Sequence, residues 1–526
     1  MPSTPPVPDD PPSDTMPDTV PAPLRRGARR APEAPALLGP AGTFVSYGAL
    51  DAAVGRAATR LAGAGVGPGD RVACLLPRGA AYVTLLLALW RRRAVAAPLP
   101  ARVPPAGRQR LLRAIAADAL VAGGNARPDG ASEGAPTTLR AADLASDLFA
   151  APAEPGPAAG EASEATWPSG RPVTLVFTSG STGAPKAALH TAGNHFFSAE
   201  GARKNIPLGP DDRWLLSLPL YHVGGLAIVL RSLWAGAAVA LPRGGKERPA
   251  RAIPRTRATH VSLVAAQLRR LLDATREHRG ALPSLKAMLL GGGPIPPALV
   301  EKAHEAGWPV ATSYGLTEMT SQVATTALGD DLAVVQRTVG RPLPHRRVRI
   351  RRASGGAEHG EILVKGRPRF AGYVEEGERR EPFVRAFGED GWLPTGDRGR
   401  IGEDGRLRVA GRLDRQFVSG GENVQPEEIE AALRRQPGVA EAAVVPVPHA
   451  TFGERPVAFI CGPAGTPFPP TDEATEELRE ALREALPGYK IPDAFYPWPE
   501  EAETGMKPDR ALLRQKAKQL EAQARE

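Results

Sequence analysis

Residues 173–190 read VTLVFTSGSTGAPKAALH, and the rest of the fold can be built outward from them. An apolar run suited to a buried strand passes directly into a loop of glycine, serine and threonine. Small residues let a backbone approach an anion, and successive N–H groups, hydroxyls and a lysine can surround phosphate oxygens. We therefore predict a phosphate-binding loop that consists of Thr178, Ser179, Gly180, Ser181, Thr182, Gly183 and Lys186.

The same loop differs from the loop of P-loop NTPases at two positions. The offset from Gly180 to Lys186 is the same as in those proteins. However, Pro185 stands where they have glycine, and Ala187 stands where a serine or threonine would bind Mg²⁺. The sequence therefore disfavours a P-loop NTPase.

Apolar strands and helices alternate on both sides of the loop. Residues 71–77 (RVACLLP) and 94–100 (AVAAPLP) are typical of buried strands, and residues 82–90 between them are typical of a buried helix. A second series of the same kind runs from residue 173 to about residue 326. Strands and helices in this order predict parallel βαβ units.

The sequence pattern changes between residues 339 and 409, where short segments of alternating apolar and polar residues predict a β-rich region. In RRVRIRR, residues 346–352, apolar and basic residues alternate, as in a strand with one wet, basic face. A nucleic-acid patch is the alternative, but no aromatic residues are interleaved with these arginines.

Composition limits the class of protein. The chain has 526 residues, of which 42% are hydrophobic and 23% charged, so it can bury a large core. A net charge of +9 over this length is too mild to indicate nucleic-acid binding. Cys74 and Cys461 lie far apart in apolar contexts, which disfavours a disulfide framework and fits a reducing cytoplasm. The longest apolar stretch, residues 80–90, is about half of the roughly 20 residues that span a bilayer.

The chain is predicted to consist of a tail and two domains. Residues 1–24, rich in proline and aspartate, predict a disordered tail, and residues 151–170 predict a surface excursion. Residues 25–411 would form the large domain. Residues 412–526 would form the small one, with a helix from Pro426, a strand, a helix and a charged closing helix.

Four further motifs follow the loop in the order known for one enzyme family. The chain resembles the adenylate-forming enzymes, namely acyl-CoA synthetases, firefly luciferases and the adenylation domains of peptide synthetases. The resemblance covers residues 30–514 and rests on these segments: TSGSTGAPK (178–186), SYGLTEM (313–319), GWLPTGD (391–397), GRLDRQFVSGGENVQPEEIE (411–430) and ETGMKPDRALL (503–513).

The resemblance implies a fold and a reaction. The fold is of the α/β class, with a large N-terminal α/β domain that includes a β-rich subdomain and a small, mobile C-terminal α+β domain. In the reaction, a carboxylate attacks the α-phosphate of ATP, and a thiol such as that of coenzyme A then displaces AMP. Mg²⁺ would assist, and the small domain would rotate between the two steps about Asp414.

The resemblance also implies the nucleotide site. A tyrosine ring can stack on a base, and an aspartate can accept hydrogen bonds from both hydroxyls of a ribose. A glycine-rich segment after an apolar strand, LLGGGPIP (289–296), suits close approach to a planar ligand. The residues assigned to the nucleotide are Gly291, Gly292, Gly293, Tyr314, Asp397 and Arg412.

Four residues are expected to act in catalysis on the strength of the resemblance. Thr317 and Glu318 belong to the motif that holds Mg²⁺, and a carboxylate oxygen suits that hard cation. Lys507 would bridge the acyl carboxylate and the α-phosphate in the transition state, although by composition it is simply an exposed lysine. His222 would line the acyl tunnel; a core histidine is the alternative.

Four segments indicate the acyl substrate. They are the pair Ser321–Gln322, LGGGPIP (290–296), LPLYHVGGL (218–226) and residues 417–430, and they resemble those of o-succinylbenzoate–CoA ligases, whose acid carries a second, aromatic carboxylate. The resemblance implies that Ser321 and Gln322 help to bind the acid. Arg231 lies in an apolar segment and is the expected partner of that carboxylate. The alternative is a helix arginine whose head reaches solvent.

Other functions remain open at this point. A different acyl- or aryl-CoA synthetase is the nearest alternative, followed by a stand-alone amino-acid adenylation enzyme. An adenylate-binding protein without activity is disfavoured, because the expected catalytic and nucleotide-binding residues are all present. The expected partner is a small carboxylic acid, with no nucleic acid, and the sequence does not settle whether the chain forms a homo-oligomer.

Overall fold

The computed structural model describes most of the chain. The described residues are 15–39, 42–100, 103, 105–123, 136–145, 165–178, 186–275, 282–352, 358–374, 383–384, 386–388, 390–420, 422–449, 451–463, 466, 468, 471–499 and 509–523. The helices are α1 (Arg25–Arg30), α2 (Tyr47–Gly63), α3 (Ala80–Arg91), α4 (Pro105–Ala114), α5 (Ala141–Ala145), α6 (Ala192–Asn205), α7 (Val223–Ala235), α8 (Pro249–Thr256), α9 (Ala265–Thr275), α10 (Pro297–Glu305), α11 (Leu332–Arg337), α12 (Pro426–Leu433), α13 (Asp472–Ala485) and α14 (Arg510–Gln523).

The strands are β1 (Thr19–Pro21), β2 (Pro35–Leu38), β3 (Phe44–Ser46), β4 (Arg71–Leu75), β5 (Val95–Pro98), β6 (Ala119–Ala122), β7 (Thr137–Arg140), β8 (Thr166–Pro168), β9 (Pro172–Thr178), β10 (Lys186–Thr191), β11 (Arg213–Leu215), β12 (Ala238–Ala240), β13 (His260–Leu263), β14 (Ala287–Leu290), β15 (Val310–Leu316), β16 (Ser321–Thr325), β17 (Arg341–Pro342), β18 (Arg346–Arg351), β19 (Gly360–Gly366), β20 (Gly372–Val374), β21 (Phe383–Val384), β22 (Leu393–Ile401), β23 (Leu407–Arg412), β24 (Phe417–Ser419), β25 (Glu422–Val424), β26 (Glu441–His449), β27 (Gly453–Cys461) and β28 (Ala494–Pro497).

Two large sheets form the first part of the molecule. Over the described ranges, one has the order β21-β20-β10-β9-β5-β4-β6-β7 and the other β17-β16-β15-β14-β13-β11-β12-β2-β3. The segment from β9 to β7 is parallel in the first sheet, and the segment from β15 to β2 is parallel in the second. Antiparallel strands flank both. The parallel βαβ units predicted from the sequence are confirmed.

Buried helices join the two sheets. The largest apolar cluster combines α2, α3 and α7 with strands from both sheets, and Tyr47, Trp90 and Trp214 are among its fully buried members. Helix α3 is buried on almost every side, as its continuous apolar sequence predicts. The packing places the carboxyl ends of the parallel strands of the second sheet along one edge, where loops can meet a ligand.

Two smaller β-sheets complete the molecule. The strands β18, β19, β22 and β23 form an antiparallel sheet, which confirms the β-rich region. On the basic strand β18, Arg349 pairs with Asp390 at 3.1 Å, and Arg351 pairs with Glu361. Local acidic partners therefore offset much of its charge. After a short turn, β24 to β28 with α12, α13 and α14 form the α+β unit predicted for the C-terminal part.

The prediction of a disordered tail over residues 1–24 is wrong for residues 15–24; residues 1–14 lie outside the described residues. Strand β1 pairs antiparallel with β8, which lies in the predicted surface excursion. Val20 is 1% exposed, and the indole nitrogen of Trp234 donates to the carbonyl of Pro21 at 2.9 Å. A proline-rich segment can occupy an edge strand because its missing N–H groups are not needed there. Along the described ranges, no helix combines the length and apolarity needed to cross a membrane.

Candidate active site

Glycines allow β14 and β15 to approach each other closely at their carboxyl ends. A β-carbon at Gly291 would lie 2.5 Å from the hydroxyl oxygen of Ser313, and one at Gly315 would lie 2.2 Å from the carbonyl oxygen of Ser321. Gly292 has φ +83°, which favours glycine. Gly291, Gly292 and the end of β15 therefore form one narrow edge at the carboxyl ends of these strands, and the binding of a planar ligand there stays a prediction.

Three residues that the sequence assigns to the nucleotide lie together beside this edge. The hydroxyl of Tyr314 donates to Oδ2 of Asp397 at 2.5 Å, and Nη1 of Arg412 donates to Oδ1 at 3.1 Å and to the carbonyl of Thr395 at 2.8 Å. Burial, and then the charge of Asp397, raise the pKa of Tyr314 well above its usual value. Each carboxylate oxygen of Asp397 keeps a second lone pair for a ligand hydroxyl.

A tyrosine that sequence reasoning missed links Glu318 to Lys186. The hydroxyl of Tyr373 donates to the carboxylate of Glu318, and the ammonium of Lys186 lies 5.4 Å from the centre of the Tyr373 ring. Strand β20 carries Tyr373 and pairs with β10, which begins at Lys186. Burial, and then Glu318, raise the pKa of Tyr373, so the phenol remains a donor. The lysine of the loop and the carboxylate assigned to Mg²⁺ thus share one partner.

Two buried histidines support the turn that carries Thr317 and Glu318. Nε2 of His190 donates to the carbonyl of Thr317 at 2.7 Å, and the hydroxyl of Thr174 lies 2.8 Å from Nε2 of His195. The ring centres of the two histidines are 5.4 Å apart. Burial lowers the pKa of His190 to about 4, and it lowers that of His195 well below its usual value. The turn therefore rests on neutral imidazoles, which no local sequence signal had indicated.

This burial predicts an acid-sensitive fold. An unfolded histidine takes up a proton below about pH 6.5, whereas His190 stays neutral down to about pH 4. The unfolded state then binds more protons, so stability is complete above pH 6.5 and is lost as the pH falls toward 4. His190 alone should lower the free energy of unfolding by about 2 kcal/mol between pH 7 and pH 5.

Denaturant melts of His190→Gln at both pH values test this expectation. Glutamine keeps a donor for the carbonyl of Thr317 but does not titrate, so the pH dependence should become weaker. The exposed His304 provides the control, and His304→Gln should melt like the wild type at both pH values. An unchanged pH dependence in His190→Gln would contradict the account.

Arg231 is buried in the middle of α7. Its side chain is 5% exposed, so the alternative of an arginine that reaches solvent is wrong. Nε donates to the carbonyl of Ala227 at 3.1 Å, and the guanidinium carbon lies 4.6 Å from the centre of the Trp214 ring. Nη1 is buried and has no hydrogen-bond partner among the described residues. Burial lowers the pKa of Arg231 to about 10, which leaves it charged at neutral pH.

Gln322 lies on β16, which packs against α7. The side chain is 3% exposed; Nε2 donates to the hydroxyl of Thr325 at 2.7 Å, and Oε1 has no partner among the residues described. Arg346 donates from Nε to the Gln322 carbonyl at 2.6 Å and has its pKa lowered to about 9, by burial and then by Arg231. Ser321 has φ +116°, a strained value for a serine. This region thus contains two buried arginines, Arg231 and Arg346, and an amide oxygen of Gln322 that has no hydrogen-bond partner among the described residues.

His222 marks the other end of the same helix. It occupies the N-cap position of α7 and is half-buried, and its ring centre lies 4.5 Å from that of Tyr221. Arg231 lies nine positions further along the chain, about 13.5 Å along the helix axis. One helix therefore positions two of the four residues that the sequence assigns to the acyl substrate, and the other two, Ser321 and Gln322, lie on β16.

Comparison with known proteins identifies the family. Residues 24–374 match AMP-binding enzymes, and residues 428–505 match the C-terminal domain of the same enzymes. The first match alone covers more than half of the chain. The chain belongs to the AMP-binding enzyme family.

Individual relatives within this family are similar over different lengths. A 2-succinylbenzoate–CoA ligase of Bacillus licheniformis is 39% identical over 328 residues, 61% of this chain and 65% of that enzyme. The match thus spans less than two thirds of that relative's length. The o-succinylbenzoate CoA synthetase of Bacillus subtilis in complex with the acyl-adenylate OSB-AMP is 31% identical, covers 94% of this chain and 98% of its own, and has a TM-score of 0.80. The same enzyme with ATP and magnesium is 32% identical over 91% of this chain and 96% of its own, with a TM-score of 0.77.

The predicted hinge of this AMP-binding enzyme follows β23. Asp414 lies in a single 3-10 turn, Leu413–Arg415, and accepts from Nε and Nη2 of Arg412 at 3.1 and 2.9 Å. This pairing lowers the pKa of Asp414. At the end of the turn, Nη1 of Arg415 donates to the carboxylate of Glu427 on α12 at 2.8 Å. A short turn between two hydrogen-bonded anchors is suited to a pivot, and the role of Asp414 stays a prediction.

Asp414→Pro should separate the two half-reactions. Proline fixes φ and would hold the turn in one state, so acid-dependent pyrophosphate release should survive while transfer to CoA falls at least tenfold. Single-turnover assays of each step measure the split. Asp414→Ala is the matched control, because it removes the Arg412 contact without restricting φ, and both its steps should change together. Normal transfer in Asp414→Pro would remove Asp414 as the pivot.

Several expected site residues lie outside the described residues. They are Ser179, Gly180, Ser181, Thr182, Gly183 and Lys507. The ends of the phosphate loop are described: the hydroxyl of Thr178 lies 3.4 Å from the carbonyl oxygen of Lys186 across the β9–β10 pair. The two ends of the loop therefore belong to one antiparallel pair of strands, and Lys186 lies beside Tyr373.

Proposed function

We propose that the chain is an o-succinylbenzoate–CoA ligase that forms AMP and pyrophosphate. The acid would first be adenylated by ATP and would then be transferred to the thiol of coenzyme A. This product is an intermediate of menaquinone biosynthesis in organisms that make it. Membership of the AMP-binding enzymes supports the reaction class, and the buried Arg231 supports the particular acid.

The observation that carries the choice of acid is the unsatisfied Arg231. A buried charge without a partner costs several kcal/mol, so a protein keeps one where a ligand supplies the counter-charge. In the described part of the chain, Nη1 lacks an acceptor, and burial alone accounts for the lowered pKa, with no carboxylate contributing. The second carboxylate of o-succinylbenzoate would provide the missing counter-charge and acceptor. The relative from Bacillus subtilis holds OSB-AMP, which supports the same choice.

The nucleotide half of the site fits ATP. Asp397 would accept the ribose hydroxyls while Tyr314 and Arg412 hold its carboxylate in place. Gly291 and Gly292 leave room for the base at the edge of the sheet. Lys186 would face the phosphates from the start of β10. When bound, Mg²⁺ would screen the phosphate oxygens, and Glu318, oriented by Tyr373, is the described residue whose carboxylate suits it.

The chemistry follows from this arrangement. A carboxylate oxygen of the acid forms a bond to the α-phosphorus, and the bond from that phosphorus to pyrophosphate breaks. Negative charge grows on the phosphate oxygens, so fixed cations such as Lys186, and Lys507 by resemblance, lower the barrier. The CoA thiolate then attacks the acyl carbonyl and AMP leaves. His222, at the N-cap of α7, would line the path of the acyl group and the thiol.

The cellular location is part of the proposal. ATP and CoA are supplied in the cytoplasm, and we place the enzyme there. Cys74 and Cys461 are both free thiols, which is compatible with a reducing compartment.

Pyrophosphate release tests the proposed function. The purified protein should release pyrophosphate when ATP, Mg²⁺ and o-succinylbenzoate are present. Addition of CoA should allow repeated turnover, because the thiol consumes the acyl-adenylate. The acid panel should include benzoate, a fatty acid and an amino acid. Turnover of a simple aryl or fatty acid in preference to o-succinylbenzoate would assign the chain to another acyl-CoA synthetase, and turnover of an amino acid without CoA would assign it to amino-acid activation.

A further inference from the structure

A column of three buried side chains crosses the interface between α7 and the second sheet. The guanidinium carbon of Arg231 lies 4.6 Å from the centre of the Trp214 ring, and the ring of His260 lies 4.9 Å from the same indole at an angle of 31°. Trp214 is on β11 and is 1% exposed, and His260 is on the neighbouring strand β13 and is also 1% exposed. The tryptophan therefore contacts both the imidazole ring and the cation.

Hydrogen bonds fix the tryptophan and the histidine. The indole nitrogen of Trp214 donates to the hydroxyl of Ser262 at 3.1 Å. Nε2 of His260 donates to the carbonyl of Pro207 at 3.0 Å, and Nδ1 lies 2.8 Å from the hydroxyl of Thr259, so the ring is satisfied as a neutral imidazole. Burial lowers the pKa of His260 and favours the same form. The indole of Trp214 is thus fixed by the hydrogen bond of its nitrogen to Ser262 and by its ring contact with His260.

An aromatic face stabilises a buried cation without neutralising it. An aspartate beside Arg231 would remove its charge and occupy its donors, whereas an indole attracts the guanidinium through its ring quadrupole and accepts no hydrogen bond from Nη1. Nη1 of Arg231 is the atom that has no partner among the described residues. The arrangement leaves the charge of Arg231 without a carboxylate partner and its Nη1 donor unused among the described residues.

We infer that Trp214 is a positioning residue for substrate selection, whose indole face holds Arg231 ready for the second carboxylate of the acid. The inference rests on the proposed function, because it concerns how the dicarboxylate is recognised. It extends that function by assigning specificity to a residue that does not contact the acid. A tryptophan that serves only as core would affect all acids alike.

Trp214→Phe tests the role with two substrates. A smaller, less electron-rich ring should raise the KM for o-succinylbenzoate about fivefold. The KM for the same keto acid without its ring carboxylate, 4-oxo-4-phenylbutanoate, should stay within twofold, and kcat should change little for both acids. Trp90→Phe is the matched control, because Trp90 is equally buried and also loses one indole hydrogen bond, to Val173 at 2.7 Å.

A double-variant cycle with Arg231→Ala completes the test. Once Arg231 is absent, Trp214→Phe should add no further loss for o-succinylbenzoate. Equal KM increases for both acids in Trp214→Phe, or the same selective increase in Trp90→Phe, would overturn the inference and leave the proposed function standing. A wild-type enzyme that ignores o-succinylbenzoate would overturn both, and the acid panel shows which case holds.

Discussion

Arg231→Ala should raise the KM for o-succinylbenzoate by about 10- to 150-fold. The substitution removes a charge-assisted hydrogen bond, worth about 1.5–3 kcal/mol, from a buried position. For 4-oxo-4-phenylbutanoate the KM should change little, because that acid has no ring carboxylate. Initial rates of pyrophosphate release with each acid measure the two constants under the same conditions.

Two further results define this prediction. Arg231→Lys should restore only part of the affinity, because an ammonium cannot reproduce the planar pair of donors. If Arg231→Ala weakens both acids alike, the arginine stabilises the fold, and the choice of o-succinylbenzoate loses its electrostatic support.

Lys507→Ala should slow adenylation by about a hundredfold or more. Loss of one cationic contact made in the transition state costs on the order of 3 kcal/mol. Transfer to CoA from supplied acyl-adenylate should remain largely intact, because in that step the thiolate attacks the acyl carbon and no pentacovalent phosphorus forms. Pyrophosphate release and thioester formation, assayed separately, measure the two half-reactions.

A lysine on α14 provides the control for this variant. Lys518 is exposed on the same C-terminal segment, and Lys518→Ala should leave both half-reactions unchanged. Equal loss of both half-reactions in Lys507→Ala would contradict the assigned role and would indicate a damaged C-terminal domain instead.

The parts of the site that follow strand ends could be predicted from sequence. Gly291 directly follows β14 and Tyr314 lies near the end of the adjacent parallel strand β15, and parallel strands bring such ends to one edge. For Arg231 the apolar helix left two possibilities open, and only the packing of α7 decided for burial over a head that reaches solvent. Local pattern sufficed for the strand ends only.

Contacts between distant segments could not be predicted in this way. Tyr373 reaches Glu318, 55 residues away, only because β20 pairs with β10, and this register has no local signature. His190 reaches Thr317 across 127 residues through the same packing. The order of residues 15–24 depends likewise on the pairing of β1 with β8, more than 140 positions along the chain, so composition alone gave the wrong prediction for them.

The preference between two acids decides whether Arg231 recognises a second carboxylate. We expect kcat/KM for CoA thioester formation to be at least about tenfold higher with o-succinylbenzoate than with 4-oxo-4-phenylbutanoate, because only the former can accept from the Nη1 donor of Arg231 that has no partner among the described residues. Equal or higher kcat/KM with the monocarboxylate would contradict this role of Arg231.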